Sequence, residues 1–295
     1  MPAYNAERTL ASAAASVLKQ TMDDLELIIV DDGSTDGTRR VAEAIEDPRV
    51  RLVSQENAGA AAARNAGIQQ ARGRWVAFLD ADDFWLPQKL GRQLETLTRT
   101  GNGAAQASVI FVDDSLQPLE ARLCRPSRDP LMDFLRFRNM PAVMETLMAS
   151  TSLLEAIGGF ARDLVILEDW DIMIRLARAG GVVSMIEPLA LYRVHAGNRS
   201  RDTSLHVEPG HIVLGRLFGD PTLPERVRSR EREIYARFYT MLAGGAYTVG
   251  DSRRVVQWGL KAIQTDPRML VYMGALPARR IQRWRSSRSL RARHF

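Results

Sequence analysis

The chain has one cysteine in 295 residues, Cys124, which excludes an intramolecular disulfide and a cysteine-rich metal centre. Long apolar runs are missing too. No stretch of about 18 apolar residues occurs, and the first residues lack the charged, apolar and small-residue succession of a secretory signal, so the expected location is the cytoplasm. Acid is missing from residues 277–295, which hold seven arginines, more than the whole net charge of +5. Basicity is therefore a property of the tail, and the rest of the chain is slightly acidic. With 45% hydrophobic residues the chain can bury a full core. The pattern suggests a large domain over 1–205, a helical hairpin over 206–276 and a basic tail over 277–295.

What the chain does have is acid at strand ends. Trp75–Leu79 is an apolar run with aromatic and β-branched members, read as a short strand buried on both faces. Asp80, Asp82 and Asp83 follow at its carboxyl end, the edge where open α/β sheets place ligands. Carboxylates this close repel unless a cation or a ligand's donors offset their charge. One reading is a divalent metal carrying a phosphate-bearing substrate. The other is a helix cap, since Leu86, Leu90, Leu94 and Leu97 follow at helical spacing. A cap needs one carboxylate, and three are present.

The same arrangement recurs. Leu25–Val30 reads as a strand ending in Asp31-Asp32 before a turn that includes Gly33 and Gly37, and Val50–Val53 reads as another. Arg64, in the alanine-rich helix Ala60–Ala71, is either solvent-facing or a cation paired with the acidic pocket or a phosphate. Asp113-Asp114 after the strand Ala107–Val112 reads as an ordinary exposed turn. Glu168, Asp169 and Asp171 suit a helix N-terminus, or include a general base whose pKa is lifted by like charge. The strand Leu189–Val194 closes with Arg193, His195, Asn198 and Ser200, and His195 there is either structural or faces a metal or diphosphate. Residues 120–150 are irregular and carry no motif. Beyond residue 210 two helices with apolar faces suggest a hairpin like one tetratricopeptide unit. The tail fits a disordered end, a membrane contact or a nucleic-acid contact.

Six segments in order resemble the family 2 inverting glycosyltransferases over residues 1 to about 200: Pro2-Ala3-Tyr4-Asn5; Val30 to Asp36; Asn57-Ala58-Gly59 with Ala63 to Gly67; Phe78 to Asp83; Gly158-Gly159-Phe160; and Glu168 to Asp171. The resemblance implies an α/β, GT-A-type, Rossmann-like fold with a mostly parallel sheet, flanking helices and a C-terminal helical segment. It also implies a nucleotide-diphospho-sugar donor, expected to be a UDP-sugar, and a divalent cation, Mn²⁺ or Mg²⁺. Carried over by position, Asp32 resembles the residue meeting the nucleotide base or ribose, with Ala3, Tyr4 and Glu7 lining that pocket. Arg64, Asp80, Ala81 and Arg193 complete the expected donor site. Asp82 and His195 are the expected metal ligands, and Asp169 matches the proposed base that deprotonates the acceptor hydroxyl.

Two departures stand out. The family pattern opens with an apolar strand before Pro-x-Tyr-Asn, and here Met1 directly precedes Pro2, so that strand is expected to be missing, its neighbours' edges exposed and the true start upstream. The Gln-x-x-Arg-Trp motif of processive synthases keeps only Arg283-Trp284, which suggests single addition. The expected role is sugar transfer to a saccharide or lipid-linked saccharide for cell-surface polysaccharide, at the cytoplasmic face of a membrane, with no nucleic acid. The alternatives are transfer to a polyprenyl phosphate, a non-catalytic nucleotide-sugar module and a receiver-type Mg²⁺ pocket.

Overall fold

The computed structural model describes residues 1–141, 143–195 and 203–274; the basic tail, Asn198 and Ser200 lie outside the described residues. The chain divides into two compact units. The first holds Met1–Leu131 and Asn139–His195, the second Met132–Arg138 and the chain from Ala196 onward.

The first unit opens with a parallel sheet of β1 (Pro2–Ala3), β2 (Leu27–Asp32) and β3 (Val50–Gln55) in that order. The strand expected to be missing is represented by residues 1–3. Pro2 and Ala3 pair with Val30 and Asp31, the Met1 nitrogen donates to the Ile28 carbonyl at 2.8 Å, and Val30 donates to the Met1 carbonyl at 2.8 Å. Strand β2 is buried along its whole length. Its alternate residues serve opposite faces: Leu27 and Ile29 pack with Leu10, Ala14 and Val17 of α1 (Leu10–Leu18), while Ile28 and Val30 pack with Ala63 of α3 (Ala60–Gln70). The strand outlasts its apolar run, so Asp31 and Asp32 lie inside it rather than in the following turn. Between β2 and β3, α2 (Thr38–Glu43) returns the chain.

A second sheet has the order β4-β8-β6-β9-β5: β4 (Trp75–Ala77), β8 (Met148–Ser150), β6 (Ala104–Val112), β9 (Val182–Arg193) and β5 (Phe84–Trp85), with β7 (Pro118–Arg122) also on β6. Only β6 and β9 pair in parallel; the other pairs are antiparallel. The sheet is therefore mixed, because short return strands of two to five residues join the parallel pair. Strand β4 is only half-buried, not enclosed on both faces. Helix α4 (Lys89–Thr100) follows β5; α5 (Pro130–Leu135) and α6 (Val143–Thr146) precede β8 along the chain, α7 (Thr151–Ala156) follows it, and α8 (Glu168–Ala179) leads into β9. Asp113 accepts from the backbone of Ser115 and Gln117, closing the exposed turn expected there.

The second unit is helical: α9 (Val207–Gly219), α10 (Glu225–Arg228), α11 (Glu231–Thr248), α12 (Ser252–Thr265) and α13 (Met269–Gly274). The expected hairpin is α11 with α12, where Tyr239 stacks on Trp258 at 5.9 Å. Phe238 is fully buried, and a Cβ on Gly210 would lie 2.1 Å from its ring. Arg136 is bound to Glu233 through two contacts of 2.8 and 3.1 Å.

Candidate active site

Strand direction gathers the acids of the second sheet. Strands β4, β6 and β9 run the same way, while β5 and β8 run against them. The ends of β4 and β9 and the starts of β5 and β8 therefore share one edge. Asp80–Asp83 joins β4 to β5, the two outer strands of the series, so the acidic loop crosses that edge.

Arg64 is buried, not solvent-facing. Its two terminal nitrogens fork: Nη2 binds Asp80 at 2.8 and 3.1 Å, and Nη1 binds Glu168 at 3.0 Å. Two carboxylates and the face of Phe160, 5.5 Å away, surround the guanidinium and keep it charged despite burial. The fork joins the acidic loop to the first turn of α8. Asp169 is half-buried there, and its pKa is raised above the ordinary carboxylate range, chiefly by burial, while Trp170 N and Arg64 oppose the rise. Glu168 is raised as well, by burial and then by Asp169. Leu167, immediately before the helix, has φ +65°, a left-handed conformation rare for leucine. Asp171 acts elsewhere, holding Arg175, whose Nη1 donates to the carbonyls of Ile157 and Gly159 at 2.9 and 2.6 Å beyond the end of α7.

Asn65, next to Arg64, grips the loop before α8. Its amide donates to Phe160 O at 2.8 Å and accepts from Phe160 N at 2.8 Å. Gly159 has φ +65°, and a Cβ there would stand 2.4 Å from Asn65 Oδ1. Those two contacts account physically for the Arg-Asn and Gly-Gly-Phe segments.

Asp82 and His195 meet as a pair, with Oδ2 and Nε2 2.8 Å apart and each side chain about one-third exposed. Beside them, Asp83 is buried and accepts from the Arg193 backbone N–H at 2.7 Å, while the Arg193 guanidinium lies 5.0 Å from the Phe84 ring centre. Arg193 thus contributes its main chain to this edge. Glu145, from the region that carried no motif, arrives at the same place because α6 precedes β8, whose start faces this edge. Asp80, Asp83 and Glu145 offer carboxylate oxygens within 4.8 Å of one another. Burial, then Asp80, pushes Glu145 up to about 7; burial, then Glu145 and Asp82, raises Asp83 well above its ordinary value. The sequence signals Glu145 only as a single acid inside the apolar run Met144 to Leu147.

The residues expected at the nucleoside lie beside the other sheet. The buried Asp32 carboxylate accepts from Gln55 Nε2 at 2.7 Å and from the N–H groups of Ala58 and Gly59 at 2.9 Å each, so it shapes the loop that starts α3. Ala3 and Ala81 are buried, and Tyr4 is exposed. Glu7 accepts from Gly37 N at 2.7 Å, and Asn5 accepts from Thr35 N at 2.8 Å. The loops after β1 and β2 are stapled together by these bonds.

The family model for glycosyl transferase family 2 matches residues 1–158. A relative 36% identical aligns over 95% of this chain and 84% of its own length. The chain belongs to glycosyl transferase family 2. That relative is the succinoglycan biosynthesis protein ExoO of Rhizobium meliloti. Another, 45% identical over 100 residues, is the UDP-Glc:alpha-D-GlcNAc-diphosphoundecaprenol beta-1,3-glucosyltransferase WfgD of Escherichia coli; the match covers 34% of this chain and 40% of WfgD. The matches span about two fifths of the length of the first curated relatives. The structure of S. aureus TarS 1-349 in complex with UDP-GlcNAc superposes with a TM-score of 0.69 at 16% identity, over 90% of this chain and 79% of that one. The family 2 member described here therefore has the GT-A-type α/β fold. No helix among its described residues is long and apolar enough to cross a membrane.

Proposed function

We propose that this family 2 member is a glycosyltransferase that moves one sugar from a UDP-sugar to a saccharide or lipid-linked saccharide acceptor for cell-surface polysaccharide, at the inner face of the cytoplasmic membrane, with inversion at the anomeric carbon. The observation that carries the reading is the Arg64 fork, which ties the acidic loop to the helix turn bearing Asp169. Donor-side charge and a raised carboxylate then belong to one site. Asp169 takes the proton from the acceptor hydroxyl, whose oxygen attacks the anomeric carbon opposite the leaving UDP. Asp32, Ala3, Tyr4 and Glu7 would line the nucleoside end, with Asp80, Ala81 and Arg193 nearer the ribose and diphosphate.

The residues present fit a hard divalent cation. Asp82 supplies a carboxylate oxygen and His195 an imidazole nitrogen, paired and part-exposed at the strand edge. Bound there, Mn²⁺ or Mg²⁺ would offset negative charge on the departing diphosphate. The relatives named for polysaccharide synthesis and for a diphosphoundecaprenol-linked acceptor support the acceptor class.

Calorimetric titration of UDP and GDP into the protein and into Asp82→Ala, with and without Mn²⁺, tests this. UDP binding that requires Mn²⁺ and is lost in Asp82→Ala is expected. A folded protein that binds neither nucleotide overturns the reading.

A further inference from the structure

Apolar exposure is concentrated in the last helices of the second unit. Tyr247, Val249, Val256, Leu260, Leu270 and Val271 fall within 25 consecutive positions, and each is 54 to 79% exposed. Single exposed apolar residues are ordinary, whereas a concentration of them marks a surface that meets something. Local packing explains why they stay outside. Helix α12 turns Gly259 and Ala262 inward, and its Trp258 stacks on Tyr239 of α11. Val256 and Leu260, one turn apart, are left on its exposed side. The turn into α13 is closed by the buried Asp266 carboxylate, which accepts from Arg268 N at 3.0 Å and from its Nη2 at 2.7 Å. Met269 then enters the interior, and Leu270 and Val271 stand out.

Charge divides at the same place. Residues 252–295 contain eleven arginines and lysines and one acid, Asp266, a net charge of +10. The whole chain carries +5, so residues 1–251 carry −5. Because Arg268 holds that single acid, no exposed carboxylate among residues 252–271 offsets the positive field. Basicity alone suits any polyanion; aliphatic side chains set among the basic ones narrow the choice. A nucleic acid offers phosphates and bases that stack on aromatic rings, which gives Val256, Leu260, Leu270 and Val271 nothing to pack against. A second copy of this surface would bring like charge against like. An anionic bilayer carries phosphates at its surface and acyl chains just beneath, and so matches both features.

We propose that the exposed sides of α12 and α13 form a docking surface for an anionic lipid bilayer. Val256, Leu260, Leu270 and Val271 seat at the boundary between headgroups and acyl chains, and the basic residues of 252–295 meet the lipid phosphates. The helices lie on the membrane and do not cross it. This deepens the preceding reading, on which it rests for the membrane address, by naming the part of the chain that holds the protein there.

The test is co-sedimentation of the full chain with vesicles of phosphatidylcholine alone and of an equimolar mixture with phosphatidylglycerol. The parent is expected to bind the mixed vesicles at least about 10-fold more tightly, since each basic residue near an anionic surface adds to the attraction. A variant combining Val256→Gln, Leu260→Gln, Leu270→Gln and Val271→Gln keeps the charge and suits a helix, and removes only the apolar contact. Its binding to mixed vesicles is expected to fall by at least about 10-fold with an unchanged thermal melt. Should that variant not fold, Leu270→Gln with Val271→Gln alone is expected to fall by about 3-fold or more. A parent with no preference for the mixed vesicles overturns the inference. So does a folded variant that binds them like the parent, or a parent that binds RNA more tightly than it binds the vesicles. Calorimetry of UDP with Mn²⁺ separates the two readings: vesicle binding without UDP binding upholds the surface and overturns the transfer reading, whereas UDP binding without vesicle preference overturns the surface alone.

Discussion

Replacing Arg64 by methionine keeps most of the stem and removes the guanidinium that holds two carboxylates. Stripping one partner from a buried ion pair costs about 3–5 kcal/mol, because the charge left behind is poorly solvated. Here the orphaned charges are unequal: the Glu168 side chain is 16% exposed and that of Asp80 is 33% exposed. Water can reach Asp80, so the expected cost lies at the lower end, about 3 kcal/mol. With a urea slope of about 2–3 kcal/mol/M, the midpoint falls by roughly 1–1.5 M. Tryptophan fluorescence reports it, since Trp75, Trp85 and Trp170 all lie in the first unit. The deficit must also depend on pH. Arg64 draws down the pKa values of Glu168 and Asp169, which burial has raised. Without it these groups rise further above their unfolded values, so the folded variant takes up protons more readily than its unfolded chain as pH falls through the raised values. The variant therefore recovers stability on acidification, and its deficit is larger at pH 8 than at pH 5. A midpoint shift below about 0.3 M at pH 8, or a deficit that grows on acidification, would refute the account of Arg64 as the buried counter-ion.

Asp169→Asn is expected to lower kcat by about 10²–10⁴-fold while leaving UDP binding unchanged in calorimetry. In the parent, the raised Asp169 pKa places the acid limb of the kcat profile above the ordinary carboxylate range; a limb at or below about pH 4 contradicts that. Gly159→Ala, whose Cβ meets Asn65 in a left-handed backbone, is expected to destabilise the first unit by about 1–3 kcal/mol, seen as a lowered melting temperature.

Strand-end acids were legible because chemistry and local pattern coincide there: an apolar run stops and carboxylates follow. The pairing of Arg64 with the acidic pocket was one of two readings open from residue type, and a shared site for Asp82 and His195 followed only from the family resemblance. The burial of Arg64 could not, since an arginine among alanines looks the same whether the helix turns it outward or inward. Strands β5 and β8 are two and three residues long, too short for any periodicity, and they exist because β9, β6 and β4 offer them edges. Glu145 was hidden for the same reason. Asp83 lies 62 residues earlier in the chain, and only the reversed direction of β8 brings the two carboxyls near one another. Asp32 shows the opposite case, a residue visible in the sequence whose carboxylate also serves the loop beneath it.

Consecutive positions on a helix point about 100° apart, and α3 uses this to send Arg64 to the acidic loop and Asn65 to the segment before α8. Neither residue can be inherited alone. A chimera that exchanges residues 60–70 with those of a relative must bring the partners around Asp80, Phe160 and Glu168 from the same parent, or it joins a helix from one lineage to contacts from another. Recombination between family members should therefore favour crossovers that keep this helix and its three partner segments together, a linkage that their separation along the chain conceals.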